Sequence, residues 1–312
     1  MKIIIAFLKL IRWPNLVFIL LTQVLFEYCI YYRVFSPLNR YPNEQSQFWL
    51  IVAASILIAA AGYIINDYFD LNIDQINKPR KVVVNTIIGR RWVIFWHLLL
   101  SLSGLIITII ALPIHTYFHL VIANFVSIVL LIFYSTTLKK KLLIGNIIIS
   151  ILTAWVIGIV FLSKINFTIA PSNNMQLLYA RFFKLTIIYA GFAFIISLIR
   201  EVIKDMEDID GDRKYGCKTM PIVWGINVSK VFIAVWLIVL IACIAILQFY
   251  VLQFGWWISA IYSMLLIVLP LIILFKKLFT TQTQQSFHQL SNWIKWVMLA
   301  GIISMLFLKI YS

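Results

Sequence analysis

The chain has 312 residues, of which 63% are hydrophobic and only 12% charged, and its formal net charge is +15. A mean hydropathy of +0.98 excludes a soluble globular domain, because 312 residues cannot bury that much apolar surface in a core of their own. Apolar runs of about twenty residues recur along the chain, the length that crosses a ~30 Å hydrocarbon layer as a helix. The composition therefore predicts an integral membrane protein.

The apolar runs predict nine membrane-spanning helices that form one all-α bundle, in a single domain over residues 1–312. In chain order the predicted spans are 13–34, 48–66, 91–112, 115–136, 142–163, 181–204, 228–251, 254–275 and 292–310. An odd number of spans places the two termini on opposite sides of the membrane.

The basic residues predict the orientation of these spans. Twenty of the 26 lysines and arginines fall at the N-terminus or around the connections after the second, fourth, sixth and eighth spans. The positive-inside rule places these segments in the cytoplasm, so we expect a multi-pass protein of the cell inner or plasma membrane. A nucleic-acid partner is not expected, because the charge is spread over separate loops that face anionic lipid.

The acidic residues are concentrated in two places. Only 11 are present, and nine of them lie in two short stretches, one after the second span and one after the sixth. Each stretch contains the pattern D-x-x-D-x-x-x-D, formed by Asp67, Asp70 and Asp74 in the first and by Asp205, Asp208 and Asp212 in the second. We call these the first and second aspartate motifs, and we expect them to form loops at the cytoplasmic ends of their spans.

The spacing of the aspartates favours a metal site. Offsets of 0, 3 and 7 residues put three carboxylates on one helix face, where they repel one another unless a cation binds. Hard oxygen ligands favour Mg²⁺, which usually takes one or two carboxylates together with phosphate oxygens of a substrate. Solvated loops would explain one such stretch, but two with the same spacing favour metal binding by all six aspartates.

The two motifs and their surroundings resemble a known family. Asn66 to Asp74 is similar to the N-D-x-x-D-x-x-x-D signature of the UbiA family of intramembrane prenyltransferases, and Asp205 to Pro221 resembles that family's second motif. Arg12 to Asn15 is similar to its R-x-x-N opening, and Tyr134 to Lys139 resembles its Tyr/Lys element, followed by Gly145 and Asn146. The resemblance covers essentially the whole chain and includes the nine spans.

The resemblance implies a Mg²⁺-dependent enzyme that transfers a prenyl group from prenyl diphosphate to an acceptor. It implies that the six aspartates are catalytic and, together with Asn66, bind the metal. It also implies contacts to the diphosphate or substrate from several residues: Asn15, Asn66, Arg80, Tyr134, Lys139 and Lys204. His97, His115, His119 and His288 are expected to lie away from both motifs and are given no catalytic role.

The acceptor is predicted less directly. The segment Arg200 to Asp208 resembles the R-E-x-x-K-D-x-E-D form of family members that prenylate geranylgeranylglycerol phosphate, which favours a lipid acceptor. The alternative within the family is an aromatic acceptor of quinone biosynthesis, such as 4-hydroxybenzoate or dihydroxynaphthoate. A divalent-cation transporter is a more distant alternative, because transport acids normally lie near the bilayer midplane on broken helices.

Overall fold

Long apolar helices dominate the fold, as expected where backbone groups in hydrocarbon must bond within their own segment. The computed structural model describes residues 2–35, 44–79, 82–167 and 173–311, without the side chains of residues 173 and 174. Within these ranges nine helices are long and apolar enough to cross a membrane: α2 (Trp13–Val34), α3 (Glu44–Asn77), α4 (Arg90–Ala111), α5 (Ile114–Thr136), α6 (Ile144–Ser163), α7 (Asn173–Glu207), α10 (Ile226–Leu252), α11 (Trp257–Thr280) and α12 (Gln284–Tyr311).

Three shorter helices lie between the long ones or before them: α1 (Lys2–Leu10), α8 (Ile209–Lys214) and α9 (Met220–Val223). The prediction of an all-α protein with nine spans is confirmed. The main differences are at the ends, since α3 extends to Asn77 and α7 begins at Asn173, both well beyond the predicted limits of 48–66 and 181–204.

The chain divides into two compact units. The first comprises residues 1–27, 34–138 and 155–186, and the second comprises residues 28–33, 139–154 and 187–312. In the first unit, small residues bring helices close together. A Cβ atom on Gly104 of α4 would lie 2.7 Å from Ile58 Cγ1 of α3, and one on Gly62 of α3 would lie 2.8 Å from Leu131 of α5. Glycine at these positions permits the close backbone approach that drives helix association in membranes.

The extended end of α3 is buried by neighbours in the first unit. Leu71 and Ile73, which follow the predicted span, are almost completely buried. Leu71 packs with Ala6 and Leu10 of α1 and with a group of apolar residues that follows α3: Val83, Val84, Ile88 and Val93. This packing explains why the helix continues through a polar stretch in which hydropathy falls, since one apolar stripe remains covered.

The other end of α3 carries a buried ion cluster. Lys164, which follows α6, lies 2.6 Å from Glu27 of α2 and 3.3 Å from Glu44 at the start of α3. The Glu27 side chain is fully buried, and it belongs to a π-helical turn, Phe26–Tyr31, within α2. Because burying a single charge in this environment is costly, the cluster depends on all its charges being present.

The core of the second unit is formed by α7, α10, α11 and α12. Ile199, Val202, Ile203 and Met206 of α7 are completely buried or nearly so, and they belong to one apolar cluster with residues of the other three helices. This cluster holds the last two turns of α7, where the second aspartate motif begins.

Candidate active site

The first aspartate motif lies inside α3, in its last three turns. The prediction that these residues form a loop was wrong, because the packing of α1 and residues 83–93 against Leu71 keeps this segment helical. Asp67, Asp70 and Asp74 therefore share one face of a regular helix, as their spacing predicts, and all three are partly exposed.

Arg12 holds the first carboxylate of this motif. Its Nη2 donates to Asp67 Oδ1 at 2.6 Å, and its guanidinium lies 5.3 Å from the centre of the Tyr63 ring. Arg12 adopts the left-handed conformation (φ 50°, ψ 52°) between α1 and α2, and this bend brings its side chain to α3. The negative charge of Asp67 raises the pKa of Arg12 above its ordinary value, so the guanidinium stays charged at any physiological pH.

One asparagine of the sequence prediction, Asn66, contacts the first motif, and another, Asn15, contacts the backbone of Arg12. Asn66 Nδ2 donates to Asp70 Oδ2 at 2.8 Å, one turn along the same helix, so this amide orients a predicted metal ligand. Asn15 lies in the first turn of α2, and its backbone N–H donates to the Arg12 carbonyl at 2.8 Å. The binding role of Asn15 stays a prediction, and Arg12, three residues before it, contacts the motif through its side chain.

The second aspartate motif is divided between two helices. Asp205 lies in the last turn of α7, Asp208 has non-helical angles (φ −99°, ψ 10°), and Asp212 belongs to α8. The expectation that these three carboxylates share one face of a continuous helix was therefore wrong. Asp and Gly are weak helix formers, and the sequence from Asp208 to Asp212 contains three aspartates and Gly211.

Side chains from other helices hold the acids of the second motif. Asn146, in the first turn of α6, donates from Nδ2 to Asp205 Oδ2 at 2.8 Å. His288, in the first turns of α12, lies with Nδ1 2.9 Å from Glu207 Oε1. The expectation that all four histidines lie away from the motifs was wrong for His288, since a contact between residues 81 positions apart leaves no local signal in the sequence.

The predicted basic and aromatic residues have different surroundings. Lys204 donates to both carboxylate oxygens of Glu201, at 2.8 and 3.1 Å, within α7. Lys139 lies in a 3₁₀ turn, Leu138–Lys140, and Tyr134 lies in the last turn of α5; both side chains are partly exposed. Arg80 lies outside the described residues.

The carboxylate oxygens of the motifs suit a hard cation whose coordination shell is completed by a bound substrate. Among the residues that the structure describes, no three His, Cys, Asp or Glu side chains are arranged to hold a metal ion by themselves. Mg²⁺ does not require such a cage, because it is commonly bound by one or two carboxylates with substrate phosphates and water. In the first unit, the held carboxylates of Asp67 and Asp70 are donors of this kind, and in the second unit the held carboxylate of Asp205 is another.

The chain was compared with known proteins. The sequence profile of the UbiA prenyltransferase family matches residues 24–299. The digeranylgeranylglyceryl phosphate synthase of Methanosphaera stadtmanae is 29% identical over 252 residues, which cover 80% of this chain and 82% of that protein.

Two solved structures share the fold. A structure of digeranylgeranylglyceryl phosphate synthase aligns with a TM-score of 0.61 at 22% identity, covering 98% of this chain and 99% of that one. A UbiA homologue from Archaeoglobus fulgidus, bound to DMAPP and Mg²⁺, aligns with a TM-score of 0.57 at 14% identity, covering 96% and 99% of the two chains. With nine apolar helices among its described residues, the aspartate motifs and a profile match over most of its length, the chain belongs to the UbiA prenyltransferase family and is a multi-pass membrane enzyme.

Proposed function

We propose that this prenyltransferase transfers a geranylgeranyl group from its diphosphate to geranylgeranylglycerol phosphate. The observation that carries the proposal is the similarity, over four fifths of the chain, to a relative named digeranylgeranylglyceryl phosphate synthase. The segment Arg200 to Asp208 supports it, because it has the form associated with a lipid phosphate acceptor. Membership of a prenyltransferase family removes the cation-transporter alternative.

We propose that Mg²⁺ is the cofactor and that six aspartates and Asn66 bind it: Asp67, Asp70, Asp74, Asp205, Asp208 and Asp212. The Mg²⁺ in the structure of the Archaeoglobus fulgidus homologue supports this assignment, as does the oxygen-rich donor set of both motifs. Bound Mg²⁺ supplies positive charge that stabilises the diphosphate as a leaving group. In the reaction, the acceptor hydroxyl oxygen forms a bond to the allylic carbon, the C–O bond to diphosphate breaks, and the hydroxyl proton is released.

The protein's own side chains would hold the carboxylates in place before substrate binds. Arg12 fixes Asp67, Asn66 fixes Asp70, and Asn146 fixes Asp205. Charged groups that are already oriented need little rearrangement as charge develops on the substrate, and this preorganisation is a major source of rate enhancement.

We propose further contacts to the diphosphate or substrate from Asn15, Arg80, Tyr134, Lys139 and Lys204. Lys139 follows α5 in a turn that also contains Lys140 and is followed by Lys141, a position suited to an anionic head group. Lys204 already forms an ion pair with Glu201. Its contribution to diphosphate binding therefore depends on whether its ammonium group contacts the Glu201 carboxylate or the diphosphate. A lysine acts here as a point charge, whereas an arginine forms a two-pronged contact.

The positive-inside asymmetry supports a cytoplasmic position for both motifs. After Cys29, Cys217 and Cys243 are replaced by serine, single cysteines placed in segments 75–79 and 213–219 should react with a membrane-impermeant thiol reagent only after the cytoplasmic side is opened. Reaction of one segment from the outside in intact cells would refute this orientation.

The proposed reaction can be tested with purified protein in lipid vesicles, radiolabelled geranylgeranyl diphosphate and three acceptors. We expect product with geranylgeranylglycerol phosphate and none with 4-hydroxybenzoate or dihydroxynaphthoate. EDTA should abolish transfer, and added Mg²⁺ should restore it. Transfer to an aromatic acceptor alone would overturn the lipid assignment and leave the prenyltransferase activity standing.

Aspartate variants test the metal site directly. Asp70→Asn and Asp208→Asn keep the side-chain volume and remove the charge, so each should lower turnover on the order of 10²- to 10³-fold, as lost electrostatic groups do in other active sites. Asp210→Asn is a matched control, because Asp210 is an exposed acid of α8 outside the D-x-x-D-x-x-x-D pattern. Full activity of the Asp70 and Asp208 variants would refute the site.

A further inference from the structure

His288 approaches the second aspartate motif from a distant part of the second unit. Its Nδ1 lies 2.9 Å from Glu207 Oε1, and the carboxylate accepts a hydrogen bond from the imidazole in the tautomer that carries the proton on Nδ1. The Glu207 side chain is 6% exposed and the His288 side chain 43%, so the contact lies at the edge of the buried region with the carboxylate on the inner side.

The start of α12 fixes where the imidazole lies. Thr283 and Ser286 form a capping box, in which the Thr283 hydroxyl accepts from the Ser286 backbone N–H and the Ser286 hydroxyl accepts from the Thr283 backbone N–H. Phe287, the residue before His288, is almost completely buried in the apolar cluster of the second unit. A capped and packed first turn holds a side chain more firmly than a loop would.

Glu207 occupies a sensitive position in the motif. It is the last residue of α7, it follows Asp205 by two residues, and Asp208 next to it leaves the helical conformation. An unrestrained carboxylate here would repel its neighbours and compete with them for a cation. Asn146 holds Asp205, whereas His288 holds Glu207, so two helices restrain the end of α7 at adjacent acids.

We propose that His288 is a positioning residue for the second aspartate motif: by binding Glu207, it fixes the end of α7 in the conformation that presents Asp205 and Asp208 to Mg²⁺ and diphosphate. This inference rests on the proposed function. It assigns His288 no contact with substrate, and it predicts that loss of the imidazole weakens the apparent binding of the metal more than it slows turnover at saturating metal.

The test is the Mg²⁺ dependence of prenyl transfer by the full-length protein in vesicles. His288→Ala and His288→Phe should both raise the Mg²⁺ concentration at half-maximal rate about tenfold, since residues that orient metal ligands typically alter metal affinity by ~10- to 100-fold. His288→Asn should restore wild-type dependence, because its amide nitrogen takes nearly the place of Nδ1 and donates the same hydrogen bond. The phenylalanine variant fills the space of the ring if the alanine variant folds poorly.

Two controls separate positioning from general destabilisation. His115→Ala removes an exposed histidine of α5 in the other unit and should leave the Mg²⁺ dependence unchanged. In a Glu207→Ala background, His288→Ala should have no further effect on the Mg²⁺ dependence. The proposal lets His288 act only through Glu207, and that carboxylate is already absent. An additive effect in that background would overturn the proposal.

The remaining outcomes are equally decisive. Wild-type Mg²⁺ dependence of folded His288→Ala, or an asparagine variant as impaired as the alanine variant, would overturn the role of the hydrogen bond. If Asp208→Asn is inactive while His288→Ala behaves as wild type, only the positioning role fails. If Asp208→Asn is fully active, the metal site of the proposed function fails as well.

Discussion

The hydrogen bond from Asn146 to Asp205 gives a prediction whose size follows from its surroundings. Asn146 is 7% exposed, and its amide lies 2.8 Å from the Asp205 carboxylate. Asn146→Leu keeps the side-chain size and removes the donor. A hydrogen bond to a charged group contributes about 1.5–3 kcal/mol, and if this free energy holds Asp205 in its active position, its loss lowers turnover about 10- to 150-fold.

The assay is prenyl transfer at saturating substrate and Mg²⁺, with the folded fraction measured by size-exclusion chromatography. Asn146→Asp should be more impaired than Asn146→Leu, because it places a like charge against Asp205. Ser150→Ala is the matched control one turn along α6: the Ser150 hydroxyl is buried but donates to the Asn146 carbonyl, within the helix. Turnover of Asn146→Leu within a factor of two of Ser150→Ala would refute the reasoning.

Two further predictions concern the stability of the first unit. Gly104→Ala places a Cβ 2.7 Å from Ile58, so it should cost about 1–3 kcal/mol and lower the thermal unfolding midpoint. Gly191→Ala is the control, because the space around its Cβ is open, and it should leave the midpoint unchanged. Equal midpoints of the two variants would contradict the packing of α4 on α3. Lys164→Met removes the cation beside the buried Glu27 and should cost about 3–5 kcal/mol. Adding Glu27→Gln should recover much of that stability, and failure of the double variant to do so would refute the charge argument.

Hydropathy predicts most of this fold because the bilayer imposes a length and a composition on every span. The nine predicted spans all correspond to helices in the described part of the chain. Hydropathy fails at the end of α3, since the helix between Asp67 and Asn77 is stabilised by packing of Leu71 and Ile73 and not by lipid. Hydropathy therefore ends the predicted span at residue 66, where the apolar run ends, whereas the helix continues to Asn77.

The sequence predicts the acidic residues of the candidate site, but it does not predict which side chains contact them. Repeated spacing in a chain with few acids is visible in the sequence, so the pattern alone predicts Asp67, Asp70 and Asp205 as metal ligands. The partners come from elsewhere: Arg12 lies 55 residues from Asp67, and Asn146 lies 59 residues from Asp205. Such pairs depend on tertiary packing, which periodicity in a single sequence does not encode.

The length of α3 has a consequence for how the products separate. A helix of 34 residues rises about 51 Å, against ~30 Å of hydrocarbon, and Asp67 lies ~35 Å along it from Glu44. If α3 enters the hydrocarbon near Glu44, we expect the new bond of the proposed reaction to form at the level of the lipid head groups, with the isoprenoid chains in the layer below. Inorganic diphosphate then leaves into water, whereas the twice-alkylated lipid departs sideways into the leaflet, so neither product has to pass the exit of the other.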